Sequence, residues 1–164
     1  MKNRLGLALL ASIAWAGAAS PQGTRAEKRS AHPAQIVFVC EHGAALSVVS
    51  AAYFNKLARE QHLDVRAVAR GTTPQKDIAV SARAGLKADE VPFELKRPLA
   101  LSRKDATHAL RIVAFTPIPA EYSKLAPLET WNDVPPTGEN YGLARNVILK
   151  HLRELIRQLR TANI

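Results

Sequence analysis

The chain has 164 residues, of which 47% are hydrophobic, and its formal net charge is +9. This length and composition are typical of one globular domain with a buried core. The positive charge could serve a nucleic acid, an anionic surface or solubility. Only 5% of the residues are aromatic and no binding motif accompanies the charge, so we expect no nucleic-acid partner. The single cysteine excludes an internal disulfide and any zinc site that needs two cysteines.

The N-terminus has the pattern of a secretory signal peptide. Lys2 and Arg4 precede an apolar stretch over residues 5–16, and small residues follow. A charged start, a short apolar middle and an A-x-A-like end are typical of such peptides. We therefore expect a signal peptide at residues 1–19 and a periplasmic or secreted protein. The alternative is a retained anchor, and an uncleaved signal segment is the only membrane contact that we predict.

A polar, turn-rich segment predicts a flexible linker over residues 20–34, followed by one folded domain over residues 35–164. Within this domain, apolar β-branched runs alternate with amphipathic stretches. The predicted elements are a strand at 36–39, a helix at 47–61, a strand at 64–69, a helix at 80–87, a short helix capped by Ser102 and ending at 108, strands at 111–115 and 128–131, and a helix at 144–160.

This alternation predicts an α/β three-layer sandwich, in which a four-stranded parallel sheet carries helices on both faces. Ligands of such sheets bind at the carboxyl ends of the strands. Cys40 closes the first predicted strand, Arg70 and Thr72 follow the second, and Asp133 comes shortly after the fourth. We therefore expect these residues to meet in one crevice.

Cys40 stands before a short loop that leads into the helix beginning at Ser47. Such a loop directs backbone N–H groups inward at the positive end of a helix dipole, which makes it a ready anion site that favours a thiolate. A lone cysteine is usually an inert apolar filler, but this position reverses that expectation. The predicted anion-binding residues of the loop are Glu41, His42, Gly43, Ala44, Ala45 and Leu46.

With these residues, the chain resembles the low-molecular-weight protein tyrosine phosphatase superfamily, which includes arsenate reductases of the same fold. The resemblance covers residues 35 to about 160. It implies that Cys40 attacks phosphorus and that Ser47 donates a hydrogen bond to its sulfur. It also implies that the loop N–H groups hold the phosphoryl oxygens and that Asp133 protonates the leaving oxygen and then activates water. No cofactor and no metal are implied.

Two positions depart from the superfamily's pattern. Leu46 stands where the superfamily has an arginine, so the loop lacks its bidentate cation. Val134 separates Asp133 from the proline that usually follows directly. A turn aspartate before two prolines is the alternative for Asp133.

Three residues bear on the missing charge. His42 either carries a charge or simply bonds a loop carbonyl. Arg70 either reaches the anion or is a surface arginine beside a turn. Glu41 disfavours a dianion unless its side chain points outward. Cys40 and His42 lack a clear third ligand, so we predict no metal site.

Together these features predict an exported phosphatase-like hydrolase of weak or altered activity. Its partner would be a phosphorylated substrate, with phosphotyrosine as one candidate, or a free oxyanion. One alternative is a non-catalytic domain that binds an oxyanion or a phospho-ligand. A second alternative is an arsenate reductase that depends on an external thiol, because the chain has no further cysteine for an internal relay.

Overall fold

The computed structural model describes residues 34–162, and the predicted signal peptide and nearly all of the predicted linker lie outside this range. The elements in chain order are β1 (Ala34–Cys40), α1 (Leu46–Glu60), β2 (Val65–Gly71), α2 (Val80–Ala88), α3 (Arg103–Thr107), β3 (Ala109–Ala114), α4 (Ala120–Ser123), β4 (Leu128–Thr130) and α5 (Tyr141–Thr161).

The four strands form one parallel sheet in the order β2-β1-β3-β4, which confirms the predicted fold class. Strand β1 is central and Cys40 pairs with Gly71 at the end of its ladder with β2. The run from Ile36 to Val39 is completely buried, as expected for a parallel strand that is covered on both faces. Cys40 therefore leaves the sheet at its middle, where a crevice can form.

The two faces of the sheet have separate cores. Phe38 and Cys40 belong to the larger core, which contains residues of α1, α2 and α5; we call this side the α5 face. Val39 belongs to a smaller core with Ala106 of α3, and Tyr122 of α4 packs against it; we call this side the α3 face. This division follows from the alternation of side chains along a strand.

The predicted elements are all present, with ends shifted by up to three residues. The capping box is confirmed, because the Ser102 hydroxyl accepts from Asp105 N while the Asp105 carboxylate accepts from Ser102 N. The sequence missed α4, which begins after Pro119 and has only four residues. A helix of one turn is too short to show a periodic pattern.

The edge of β2 is covered by other parts of the chain. The Asn55 side chain accepts from Ala67 N at 2.7 Å and donates to Ala67 O at 3.0 Å. Gly71 N donates to Leu99 O, and Leu101 N donates to Gly71 O. These contacts satisfy backbone groups that would otherwise form an open template for another strand.

No helix within residues 34–162 combines the length and the apolar character needed to cross a membrane.

Candidate functional site

The side chains of Cys40 and Ser47 meet at the start of α1. The Cys40 Sγ and Ser47 Oγ atoms are 3.1 Å apart, and both residues are buried. Cys40 ends the central strand and Ser47 is the second residue of the helix. The five-residue loop 41–45 therefore brings the start of α1 back to the end of β1. This contact allows the hydroxyl to donate to the sulfur, as the resemblance implies.

Two glycines set the path of the loop. Gly43 has φ +61°, a left-handed conformation that a side chain would strain. A Cβ atom on Gly43 would lie 2.7 Å from Gly71 N, and a Cβ atom on Gly71 would lie 2.6 Å from Gly43 N. The loop and the end of β2 therefore touch through their backbones.

Carbonyl groups of Cys40 and of the loop accept hydrogen bonds from the segment that follows β2. The bonds are Cys40 O from Thr72 N (3.2 Å), Glu41 O from Thr73 N (2.8 Å), His42 O from Gln75 N (3.2 Å) and Ala44 O from Ala79 N (3.0 Å). The backbone N–H groups of Glu41 to Leu46 have no acceptor among residues 34–162. Together with the N-terminus of the 15-residue helix α1, they can hold an anion beside Cys40.

The charged side chains of the loop face solvent. The side chains of His42 and Glu41 are 55% and 63% exposed, and His42 Nε2 lies 4.0 Å from Glu41 Oε2. Glu41 therefore satisfies the condition that its carboxylate points outward. The His42 Nδ1 atom lies 3.4 Å from Thr73 O, which favours the alternative of a histidine that bonds a loop carbonyl.

Leu46 is the first residue of α1, and its half-buried side chain packs against the core of the α5 face. It has only its backbone N–H to offer an anion. Where the superfamily has an arginine, this chain therefore has an apolar side chain that packs against the core.

Arg70 lies on the α3 face, opposite to the side chain of Cys40. It donates from Nε (2.9 Å) and from a terminal nitrogen (2.7 Å) to the two carboxylate oxygens of Asp105, and from its other terminal nitrogen to Ala69 O (2.8 Å). The side chains of Arg70 and Asp105 are only 16% and 13% exposed. This geometry does not support the prediction that Arg70 binds the anion, and it gives Arg70 a structural role. Successive side chains of a strand point to opposite faces of the sheet, and Arg70 therefore faces away from the side of the sheet that Cys40 occupies.

Asp133 follows β4 and is hydrogen-bonded to His151 of α5. His151 Nε2 lies 2.8 Å and 3.0 Å from the two carboxylate oxygens of Asp133. The hydrogen bond to His151 holds the pKa of the Asp133 carboxyl below its ordinary value. The His151 ring stacks on the buried Trp131 at 4.7 Å.

Cys40, Ser47 and the loop 41–46 lie together in the structure. Asp133 follows the carboxyl end of β4, at the same end of the parallel sheet as Cys40. Their roles in chemistry stay predictions. Sequence reasoning singled out neither His151, which bonds Asp133, nor Trp131, on which His151 stacks. Trp131 is one of two tryptophans in the chain and lies two residues before Asp133, which was a usable signal. No group of three metal-ligating side chains occurs within residues 34–162.

Neither a family model nor a curated protein matches this sequence. Similar solved structures include the protein YfkJ from Bacillus subtilis, with a TM-score of 0.72, 16% identity, and coverage of 83% of this chain and 99% of that chain. A low molecular weight protein tyrosine phosphatase from Bacillus subtilis has a TM-score of 0.66 and 18% identity, covering 79% of this chain and 99% of that chain.

A thioredoxin-dependent arsenate reductase from Corynebacterium glutamicum has a TM-score of 0.62 and 15% identity, covering 81% of this chain and 65% of the reductase. The fold is the one that low-molecular-weight tyrosine phosphatases and arsenate reductases share, and the predicted resemblance is confirmed at this level. The protein is phosphatase-like in fold, and the superposition by itself assigns no reaction.

Proposed function

We propose that the protein is an exported hydrolase that cleaves a phosphomonoester through a cysteinyl-phosphate intermediate. The observation that carries the proposal is the loop 41–46, which directly follows Cys40 and whose N–H groups have no protein acceptor within residues 34–162. The contact between Cys40 and Ser47 at 3.1 Å supports the same assignment. Export rests on the sequence pattern of residues 1–19.

In the first step, the Cys40 thiolate attacks phosphorus and the bond from phosphorus to the ester oxygen breaks. The leaving oxygen departs with the electron pair and takes up a proton. Donors that point at the equatorial oxygens stabilise the charge of the transition state. In the second step, water attacks the cysteinyl phosphate, Asp133 takes its proton, and the sulfur leaves as a thiolate with a hydrogen bond from Ser47.

Leu46 sets the expected rate. An arginine at this position would grip two oxygens of the transferring group with permanent charge. Losing one strong transition-state contact commonly costs on the order of 10²–10³ in rate. We therefore propose a slow enzyme, compared with one that has the arginine.

The presence of Leu46 in place of an arginine also favours a second candidate function. A loop that retains its N–H groups and lacks its cation can bind phosphate, sulfate or a phosphorylated partner without turnover. Binding needs the N–H groups alone, whereas catalysis needs extra stabilisation in the transition state.

An assay of the purified protein on an aryl phosphate, beside Cys40→Ser, separates the two functions. Turnover by the wild type and its loss in Cys40→Ser would support the hydrolase. Binding of inorganic phosphate without any turnover would overturn the hydrolase and establish the binding domain. Trapping of phosphate on Cys40 in a rapid acid quench, followed by mass spectrometry, would identify the intermediate directly.

A further inference from the structure

Asp133 is held in place by a side chain from another element. Its carboxylate is 63% exposed, and an exposed aspartate is free to adopt several rotamers. Here both of its oxygens lie within 3.0 Å of His151 Nε2, which comes from the third turn of α5. The contact restricts the carboxylate to one direction.

His151 is itself fixed by stacking. Its ring lies 4.7 Å from the Trp131 ring with an interplanar angle of 15°. Trp131 is 1% exposed and packs against Phe38 (5.5 Å) and Phe115 (5.7 Å). Phe38 precedes Cys40 by two residues on the same face of β1, so rigid aromatic packing connects the strand of the nucleophile with the Asp133–His151 pair.

The charges around the pair favour an ionised aspartate. The hydrogen bond to His151 lowers the pKa of Asp133, slight burial opposes this effect, and the charges of His151 and Lys150 add to the lowering. Glu129 of β4 accepts from Trp131 Nε1 at 2.7 Å, and an ion pair with Arg111 at 2.8 Å compensates its charge. Neither Asp133 nor His151 forms another side-chain hydrogen bond or salt bridge within residues 34–162.

We infer that His151 is a positioning residue that keeps Asp133 as a carboxylate base, so that the site takes phosphomonoesters whose leaving group departs as a stable anion. The inference rests on the proposed function. A carboxylate already engaged by an imidazole N–H is a poor proton donor and a well-oriented acceptor.

The consequence differs between the two steps. When the cysteinyl phosphate forms, the P–O bond breaks without a proton from Asp133, and the leaving anion is protonated by solvent. When the intermediate is hydrolysed, water gives its proton to Asp133 and its oxygen to phosphorus, and the S–P bond breaks to restore the thiolate. Acidic leaving groups, such as phenols with electron-withdrawing substituents, are therefore expected to react much faster than alkyl alcohols.

The test compares the wild type with His151→Phe, which keeps an aromatic ring over Trp131 and removes the imidazole. His108→Phe is the matched control, since His108 is an exposed histidine at the end of α3 whose ring bonds the backbone oxygen of Lys104. Carbon-13 NMR titration of the Asp133 carboxyl reports the pairing without any need for turnover. We expect the pKa of Asp133 to rise in His151→Phe and to stay unchanged in His108→Phe.

The second readout is the steady-state rate of hydrolysis at about pH 5. At this pH, an aspartate that no longer bonds a histidine and has its ordinary pKa of about 3.9 is partly protonated. In His151→Phe, kcat/KM for phenyl phosphate should rise, by about tenfold for each pKa unit that Asp133 gains. The kcat/KM for dinitrophenyl phosphate should stay constant, while kcat falls because water activation is impaired.

An unchanged Asp133 titration in His151→Phe would overturn the inference, even with an active wild-type enzyme. Equal losses of kcat/KM on both substrates would also overturn it, because they indicate a merely structural histidine. A wild type without turnover would defeat the proposed function, and with it the assignment of Asp133 as a base. The NMR titration would then decide separately whether His151 holds the carboxylate.

Discussion

Gly43 and Gly71 are in direct backbone contact, and neither position has room for a Cβ atom. One glycine lies in the loop after β1 and the other ends β2. This contact brings the segment after β2 close enough to donate hydrogen bonds to the loop carbonyls, while the loop N–H groups have no acceptor within residues 34–162. The candidate anion site thus depends on two small residues that carry no chemistry of their own.

Replacing Gly71 by alanine should displace the loop. The new Cβ atom would lie 2.6 Å from Gly43 N, a backbone atom that cannot rotate away, so we expect destabilisation of roughly 1–3 kcal/mol. Gly138→Ala is the matched control, since a Cβ atom there would meet no atom of residues 34–162 within 4 Å. Chemical denaturation measures the free energy of unfolding, and the rate at which iodoacetamide alkylates Cys40 measures a displacement of the adjacent loop. Equal behaviour of the two variants would contradict this account of the loop.

Ser47→Ala should slow turnover with little change in stability. It removes the hydroxyl that lies 3.1 Å from the Cys40 sulfur, and a hydrogen bond to a charged group corresponds to roughly 10- to 100-fold in rate. Ser50→Ala is a control on the same helix, because Ser50 is equally buried and its hydroxyl has no hydrogen-bond partner among residues 34–162. Aryl phosphate turnover should be unaffected in Ser50→Ala. A comparable loss in both variants would show that the Ser47 contact has no special role.

Leu46→Arg should increase phosphatase activity. The added guanidinium can donate two hydrogen bonds to the transferring group, and we expect a gain on the order of 10²–10³ in kcat/KM. Leu143→Arg on the exposed face of α5 controls for the added charge, since Leu143 is 52% exposed. A variant that folds and binds phosphate more tightly without any gain in turnover would point to the binding domain.

Asp105→Asn should destabilise the protein at neutral pH by roughly 3 kcal/mol, because it leaves the partly buried Arg70 charge without its partner. Burial raises the pKa of Asp105, but the hydrogen bonds from Arg70 and Ser102 and the charge of Arg70 together lower it by more, so the net shift is downward. The stability from this pair is therefore present above the ordinary carboxyl pKa of about 4 and is lost as the pH falls below it.

Urea unfolding of the wild type and Asp105→Asn at neutral and acidic pH measures this effect. The difference between them should shrink toward low pH, while Glu154→Gln, which breaks an exposed pair with Arg157, should show little difference at any pH. If Arg70→Ala instead lowered the affinity for phosphate and left the stability unchanged, the result would support the prediction that Arg70 binds the anion.

The sequence by itself determined the order of strands and helices, because buried parallel strands and amphipathic helices have distinct apolar periods. It also located the loop, since Cys40, Gly43 and Ser47 are neighbours in the chain and local turn geometry brings them together. The side on which Arg70 lies was in principle readable from the two-residue period, but its partner Asp105 comes from a distant helix, 35 residues later.

Only the tertiary structure decided which distant groups meet. The contact of Gly43 with Gly71 and the pairing of Asp133 with His151 each join residues that are far apart in sequence, across elements whose packing no local pattern specifies. Packing also fixed the side chain of Leu46 against the core. A hydrogen-bond donor finds its acceptor through the arrangement of whole helices and strands, and that arrangement results from burying both faces of the sheet at once.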